Sequence, residues 1–148
     1  MAPWADAIYA MDRQWWDVHG AEVQRDFKGA RYSVNTIPSR HNVNRLPNPP
    51  FKSYGNSGAG AVNLAAEAGA KRIILLGYDC QKTDGQAHWH GNHPRGLGNA
   101  GQIERWPAKF KELATDLGNV EIINASRATA LTCFPRQSLE QALANAIL

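Results

Sequence analysis

The sequence has few cysteines and no long apolar run, and its first residues include several polar ones. Its two cysteines, Cys80 and Cys133, lie far apart and follow no C-x-x-C spacing, which argues against a disulfide framework and a thiolate metal site. The longest aliphatic run covers residues 73–76, far fewer than the roughly 20 residues that cross a bilayer. The first residues are too polar for a signal peptide. These absences predict a cytoplasmic protein without a membrane span.

Basic residues are also not concentrated anywhere in the chain. The net charge is +3, but no block of five or more lysines and arginines occurs, which argues against nucleic acid as a partner. A modest preference for phosphates and an ordinary solvated surface both fit this charge. The length of 148 residues and the 43% hydrophobic content predict a single folded domain over residues 1–148.

The first half of the chain predicts two strands, a long loop and a helix. Residues 5–10 and 30–34 are predicted strands, and residues 35–53 have no hydrophobic period and form a predicted loop. The glycine-rich residues 55–60 lead into a helix of small residues over 61–69, with Asn56 or Ser57 as its N-cap and Gly69 as its stop. Because the chain begins almost directly in a core strand, we expect that an element that would normally precede it is absent.

The second half alternates strands and helices. Residues 71–77 are continuously apolar after a basic start, which is typical of a central parallel strand. The other predicted elements are a loop over 80–102, an amphipathic helix over 103–117, a strand over 120–123, and a helix over 139–148 that is capped by Ser138 and buries Leu139, Ala142, Leu143 and Ile147. The alternation predicts an α/β fold with an open, mostly parallel, Rossmann-like sheet of about four strands, helices on both faces, and a truncated N-terminal side.

Three polar groups are candidate functional features. The turn over residues 55–60 places backbone N–H groups at a helix N-terminus, where they either bind an anion or allow close helix–sheet packing. Asp79 follows the central strand, where α/β enzymes keep carboxylates that contact a ligand, although Asp also caps loops. His88, His90 and His93 form an H-x-H-x-x-H cluster. Three interpretations of this cluster are open. The histidines are structural, or His88 is a general base, or the cluster binds zinc together with Asp79.

These segments resemble known protein families. Ser57-Gly58 and the helix after it, residues 70–79 and residues 88–93 resemble uncharacterised bacteriophage and prophage proteins. They are more distantly similar to bacterial lipooligosaccharide sialyltransferases and to the motility-associated, pterin-pyrophosphokinase-like Rossmann-type family. The resemblance implies that His88 is the base for an acceptor hydroxyl and that Ser57 and Gly58 lie near a nucleotide. The families' glycine-rich first strand has no counterpart in this chain.

The resemblance and the polar groups together predict a phage-encoded protein with a sialyltransferase-like nucleotide or nucleotide-sugar site that is altered or degenerate. The candidate catalytic residues are His88 and Asp79, and the candidate ligand-binding residues are Asn56, Ser57, Gly58, Tyr78, His90 and His93. No cofactor is predicted beyond a nucleotide or small phosphorylated ligand. The alternatives are a non-enzymatic virion or assembly protein and a metal-dependent hydrolase that uses the histidine cluster.

The aromatic residues near the N-terminus carry a prediction about assembly. The missing first strand would leave a sheet edge uncovered, and such edges are normally protected. Either the proline-containing loop over residues 35–53 covers it, or a second subunit packs there through Trp4, Trp15 or Trp16. We expect the second arrangement, a homo-oligomer, because the loop is mostly polar.

Overall fold

A computed structural model describes residues 2–83, 85–86, 93 and 97–144 of the chain. The chain divides into two compact units, Met1–Ala61 and Val62–Leu148, called unit 1 and unit 2. Each unit contains one small parallel sheet. The single domain expected over residues 1–148 stays a prediction.

Unit 1 contains a three-stranded parallel sheet. Its elements are strand β1 (Ala7–Tyr9), helix α1 (Arg13–Asp26), strand β2 (Ala30–Ser33), a 3-10 helix (Ser39–His41), strand β3 (Asn44–Arg45) and the first residues of helix α2 (Ser57–Glu67). The strand order is β1-β2-β3. Helix α1 connects β1 to β2, as parallel pairing requires a crossover rather than a hairpin.

The loop predicted over residues 35–53 contains regular structure. It holds both the 3-10 helix and β3, which pairs with β2 in the register Tyr32↔Asn44 and Ser33↔Arg45. A two-residue strand is too short to show a hydrophobic alternation, so the sequence pattern could not reveal it. This part of the loop therefore extends the sheet at the β2 edge.

The core of unit 1 forms around helix α1. Trp16, Val23 and Phe27 are almost fully buried, and the Trp16 indole N–H donates a 2.9 Å hydrogen bond to the Ala10 carbonyl. The Trp15 ring is half-buried and meets the Trp16 ring edge to face, with centroids 5.1 Å apart. Trp16 is thus a core residue whose side chain is unavailable to a second subunit. The predicted homo-oligomer stays a prediction that the structure leaves without support.

Unit 2 contains a two-stranded parallel sheet. Its elements are the remainder of α2, strand β4 (Arg72–Leu75), a 3-10 helix (Ile103–Arg105), helix α3 (Trp106–Asp116), strand β5 (Glu121–Asn124) and helix α4 (Leu139–Ala144). Strands β4 and β5 pair in parallel from Arg72↔Glu121 to Leu75↔Asn124. Residues 71–77 were predicted to form a central strand, but among the residues that the structure describes β4 pairs only with β5, so its other edge has no strand neighbour there.

The helix boundaries largely follow the sequence signals. Asn56 caps α2 by accepting a 3.0 Å hydrogen bond from the Ala59 N–H. At the other end, Gly69 has a φ of +97°, and the N–H groups of Gly69 and Ala70 bond back to Ala66 and Ala65. This is the Schellman arrangement in which a left-handed glycine ends a helix. The predicted cap and stop are confirmed.

Helix α3 has the predicted buried face, but α4 does not. Phe110 and Leu113 of α3 are almost fully buried, whereas in α4 only Ala142 is buried, and Leu139 and Leu143 are 37% and 51% exposed. The predicted buried stripe of α4 is therefore wrong for both leucines, because this helix packs through the single face that carries Ala142. Ile147 lies outside the described residues.

The described residues form a mixed α/β structure with four α-helices and parallel strands in small sheets. The predicted α/β class is confirmed at this level. The strands belong to sheets of three and two rather than to one sheet of about four, and a Rossmann-like assignment stays a prediction. Within the ranges that the structure describes, no helix has both the length and the apolar character needed to span a membrane.

Candidate functional site

The carboxyl ends of β4 and β5 lie side by side in unit 2, because the two strands are parallel. The chain turns sharply after β4, where Gly77 has a φ of +72° and Cys80 a φ of +49°. Such left-handed conformations are easy for glycine and strained for other residues. The turn places Tyr78 and Asp79 beside the residues that follow β5.

The backbone N–H and carbonyl of Tyr78 both form hydrogen bonds with side chains that follow β5. Its N–H donates to the Ser126 hydroxyl oxygen at 2.8 Å, and its carbonyl accepts a 2.7 Å hydrogen bond from the Thr129 hydroxyl. The Asp79 carbonyl accepts a further hydrogen bond from the Ala130 N–H at 2.8 Å. The two strand ends are therefore held together beyond the sheet itself.

Asn124 organises the loop after β5 from a fully buried position. Its side-chain Nδ2 donates to the Thr129 hydroxyl at 3.1 Å, and its Oδ1 accepts from the Ser126 N–H at 3.0 Å. Because buried polar groups are stable only when they are hydrogen-bonded, this arrangement fixes the loop backbone.

A cavity of about 780 Å³ opens at these strand ends. The following residues line it: Leu76, Gly77, Asp79, Ala125, Ser126, Arg127, Arg136, Gln137, Ser138, Leu139, Glu140 and Gln141. Its volume lies within the range of roughly 300–1,000 Å³ that is typical of small-molecule sites. Its position outside the carboxyl ends of parallel strands is where open α/β sheets bind ligands.

Asp79, predicted from the sequence as a functional carboxylate, lines this cavity. Its Oδ2 accepts a 3.2 Å hydrogen bond from the Thr83 hydroxyl. Among the described residues no hydrogen bond to its Oδ1 is found, so this oxygen can accept a hydrogen bond from a ligand hydroxyl. The loop-capping and ligand-binding roles of Asp79 are compatible, since each uses a different oxygen.

The start of α4 forms another wall of the cavity. The Ser138 hydroxyl accepts from the Gln141 N–H, and the Gln141 Oε1 accepts from the Ser138 N–H, which is the reciprocal pattern of a capping box. Hydrogen bonds from its own backbone N–H and from the Ser138 hydroxyl hold the pKa of Glu140 below its ordinary value. Glu140 is therefore a second anionic residue in the cavity lining.

Burial affects the ionisable side chains of both Tyr78 and Cys80. The Tyr78 ring meets the Phe110 ring edge to face at 5.7 Å, and Phe110 in turn contacts Phe134. Burial, with the Cys80 charge as a smaller cause, raises the pKa of Tyr78 to about 12. Burial also raises the pKa of the Cys80 thiol to about 12, assisted by Asp79 and Cys133. Both groups are neutral at physiological pH, and a ligand contact by Tyr78 stays a prediction.

The predicted ligand residues of the glycine-rich turn lie in unit 1. The Ser57 Oγ accepts a 3.2 Å hydrogen bond from the Met11 N–H, and the Asn56 Oδ1 caps α2. A side chain at Gly60 would meet the Tyr9 ring and hydroxyl at 2.7 Å. These contacts support the packing explanation for the turn, while anion binding at Asn56, Ser57 and Gly58 stays a prediction.

The histidine cluster is described only at His93. The His93 N–H donates to the Asn99 Oδ1 at 2.9 Å, and its ring Nδ1 lies 2.8 Å from the Gly98 carbonyl, so Nδ1 carries the proton. His88 and His90 lie outside the described residues. In the part of the chain that the structure describes, no group of three potential metal ligands is found.

Sequence reasoning did not single out Arg127 or Arg136, which line the same cavity as Asp79. They lie in a stretch without a motif, and the available signal was their position after a predicted parallel strand. No family model, curated protein or solved structure matches this chain.

Proposed function

We propose that the chain binds a nucleotide or nucleotide sugar in the unit 2 cavity. The observation that carries this proposal is the joint presence of Asp79, Arg127 and Arg136 in one cavity at the carboxyl ends of two parallel strands. The location supports ligand binding, and the lining supports the ligand class.

The lining combines opposite charges with apolar surface. Two arginines are matched by the carboxylates of Asp79 and Glu140, so the cavity does not select a simple anion by net charge. Arginine suits phosphate oxygens because its guanidinium forms two parallel hydrogen bonds, whereas carboxylates accept hydrogen bonds from hydroxyls. A phosphate joined to a sugar satisfies both.

Leu76 and Leu139 give the same cavity an apolar side. Leu76 is 56% exposed and Leu139 is 37% exposed, and leaving such side chains in water costs free energy that a ligand with a flat apolar surface would recover. A nucleobase provides that surface. This is why we favour a nucleotide or nucleotide sugar over a simple sugar phosphate.

The sheet of unit 1 supports a separate proposal about the fold. Its three parallel strands run in the sequential order β1-β2-β3, and a helix joins β1 to β2, an arrangement that also occurs in each half of a Rossmann fold. We therefore propose that the chain is Rossmann-like. Glycosyl transfer enters the proposal through the resemblance to sialyltransferases, with His88 as base and Asp79 as the carboxylate that orients the acceptor.

Isothermal titration of the full chain with CMP, AMP, a CMP-sugar and the nucleoside cytidine tests the binding proposal. We expect at least one phosphorylated ligand to bind and Asp79→Asn to weaken its binding by about tenfold, the loss that removal of one charge-assisted hydrogen bond produces. Glu104→Gln is the control, because it removes an exposed carboxylate outside the cavity lining. Absence of binding by every nucleotide at millimolar concentration would contradict the proposal.

A further inference from the structure

The two arginines of the unit 2 cavity have different hydrogen-bonding states. The Arg136 Nη2 donates to two successive carbonyls, that of Ser126 at 3.2 Å and that of Arg127 at 2.9 Å. For the Arg127 guanidinium, by contrast, no hydrogen bond or ion pair is found among the residues that the structure describes. Arg136 is thus hydrogen-bonded to the backbone, whereas the N–H donors of the Arg127 guanidinium have no partner among the described residues.

The backbone next to Arg127 is fixed on several sides. Ser126 is 5% exposed. Its N–H bonds to the Asn124 Oδ1, its hydroxyl oxygen accepts from the Tyr78 N–H, and its carbonyl accepts from Arg136. Arg127 itself is exposed. An exposed cationic side chain is therefore attached to a fixed backbone position on the cavity wall, so ligand binding does not have to order this part of the loop.

The carboxylates of the cavity are hydrogen-bonded to groups other than Arg127. Asp79 is hydrogen-bonded to Thr83, and Glu140 is engaged by its own N–H and by Ser138. Within the described parts of unit 2, neither carboxylate forms an ion pair with Arg127. The guanidinium fork therefore remains available for an oxyanion from outside the chain, and two parallel N–H···O bonds are the geometry that phosphate accepts.

We propose that Arg127 binds the phosphate group of the ligand and that Arg136 is a positioning residue that holds the Arg127 backbone through its two carbonyl bonds. This inference rests on the proposed function for the location of the ligand. It goes further by assigning the phosphate to one side chain and by giving the second arginine a different role.

Inorganic phosphate is the probe, because it contains only the group that Arg127 would contact. Phosphate titration of the full chain is followed by NMR amide shifts or calorimetry for the wild type, Arg127→Met, Arg127→Lys and the control Arg105→Met. Arg105 is exposed and lies outside the cavity lining, so its substitution removes the same charge elsewhere. We expect Arg127→Met to lower phosphate affinity by about tenfold, Arg127→Lys to have an intermediate effect because it keeps the charge without the fork, and the control to bind as the wild type does.

Hydrogen exchange of the Ser126 amide separates the two arginine roles. We expect Arg136→Met to speed this exchange and also to weaken phosphate binding, whereas Arg127→Met should weaken binding without changing the exchange. An unchanged Ser126 exchange rate in Arg136→Met would overturn the positioning role. Wild-type affinity in Arg127→Met, or no phosphate binding by the wild type at about 10 mM, would overturn the phosphate role.

The two proposals fail separately. If phosphate binds through Arg127 but no nucleotide or nucleotide sugar binds more tightly than phosphate, the anion site stands and the nucleotide function falls. If a nucleotide binds and Arg127→Met leaves its affinity unchanged, the nucleotide function stands and the role of Arg127 falls.

Discussion

At the scale of single residues, the Thr129 hydroxyl is the most connected group near the candidate site. It donates to the Tyr78 carbonyl and accepts from the Asn124 Nδ2 and the Leu131 N–H. A hydroxyl has one donor and two acceptor positions, and all three are used here. Nothing in the local sequence distinguishes Thr129, because its partners come from two different strand ends.

Thr129→Val should therefore destabilise unit 2 more than Thr129→Ser. Valine keeps the shape of threonine but leaves three polar partners unsatisfied, which we expect to lower the free energy of unfolding by about 2 kcal/mol. Serine keeps the hydroxyl and loses one methyl group, a change of about 1 kcal/mol or less. Urea denaturation of both variants checks this. Equal destabilisation by the two would show that packing, not the hydroxyl, is what matters.

At the scale of elements, helix α1 and the 3-10 helix that ends at His41 meet at Gly20. A side chain built at Gly20 would lie 2.2 Å from the His41 Nδ1, which is far inside van der Waals contact. His41 is only 4% exposed, so its ring has little room to move. A glycine in the middle of a helix normally costs stability relative to alanine, and the approach of His41 explains its presence.

Gly20→Ala should consequently destabilise unit 1 although it improves helix propensity. Overpacking costs roughly 1–3 kcal/mol, and a 2.2 Å approach to a buried ring places this substitution in the upper part of that range, above the gain of about 1 kcal/mol from alanine in a helix. In a His41→Ala background the same substitution should become stabilising by about 1 kcal/mol, because the opposing ring is gone. Denaturation of the wild type, the two single variants and the double variant shows whether Gly20→Ala raises or lowers the free energy of unfolding in each background. Stabilisation by Gly20→Ala in the wild-type background would contradict the packing at this contact.

At the scale of the whole molecule, four acidic groups have raised pKa values because they are buried: Tyr9, Tyr78, Cys80 and Cys133. Burial raises the pKa of Tyr9 to about 12, with Asp12 as a smaller cause, and the pKa values of Tyr78 and Cys80 are also raised to about 12. Each group stays neutral in the folded chain at pH values where it ionises in the unfolded chain. The unfolded state then binds fewer protons, so stability falls as the pH rises.

We expect these groups to leave the free energy of unfolding unchanged below about pH 8 and to lower it progressively from there to about pH 12, where the cysteines contribute first and the tyrosines follow. Absorbance at 295 nm provides a direct check. The chain has four tyrosines, and Tyr9 and Tyr78 should ionise only near pH 12 in the folded protein, whereas all four should ionise near pH 10 in urea. Ionisation of all four tyrosines near pH 10 before unfolding would contradict the burial of these two.

The sequence by itself determined the elements that have local signals. The cap at Asn56, the stop at Gly69, the capping box at Ser138 and the parallel strands β4 and β5 all follow from nearby residue types and hydrophobic period. It also identified Asp79 as a carboxylate at a strand end, because that position follows directly from the apolar run before it.

Only the tertiary structure decided how distant residues combine. Strand β3 is stabilised by pairing with β2 and not by its own two residues, and the exposed Leu139 and Leu143 depend on which face of α4 finds a partner. The Arg136 guanidinium reaches the carbonyls of Ser126 and Arg127 because the chain turns back and Arg136 lies beside Asn124 at the end of β5. This turn is the reason why Arg136 and Arg127 have different hydrogen-bonding states. Contacts of this kind depend on three-dimensional proximity, and residue type and spacing alone do not encode them.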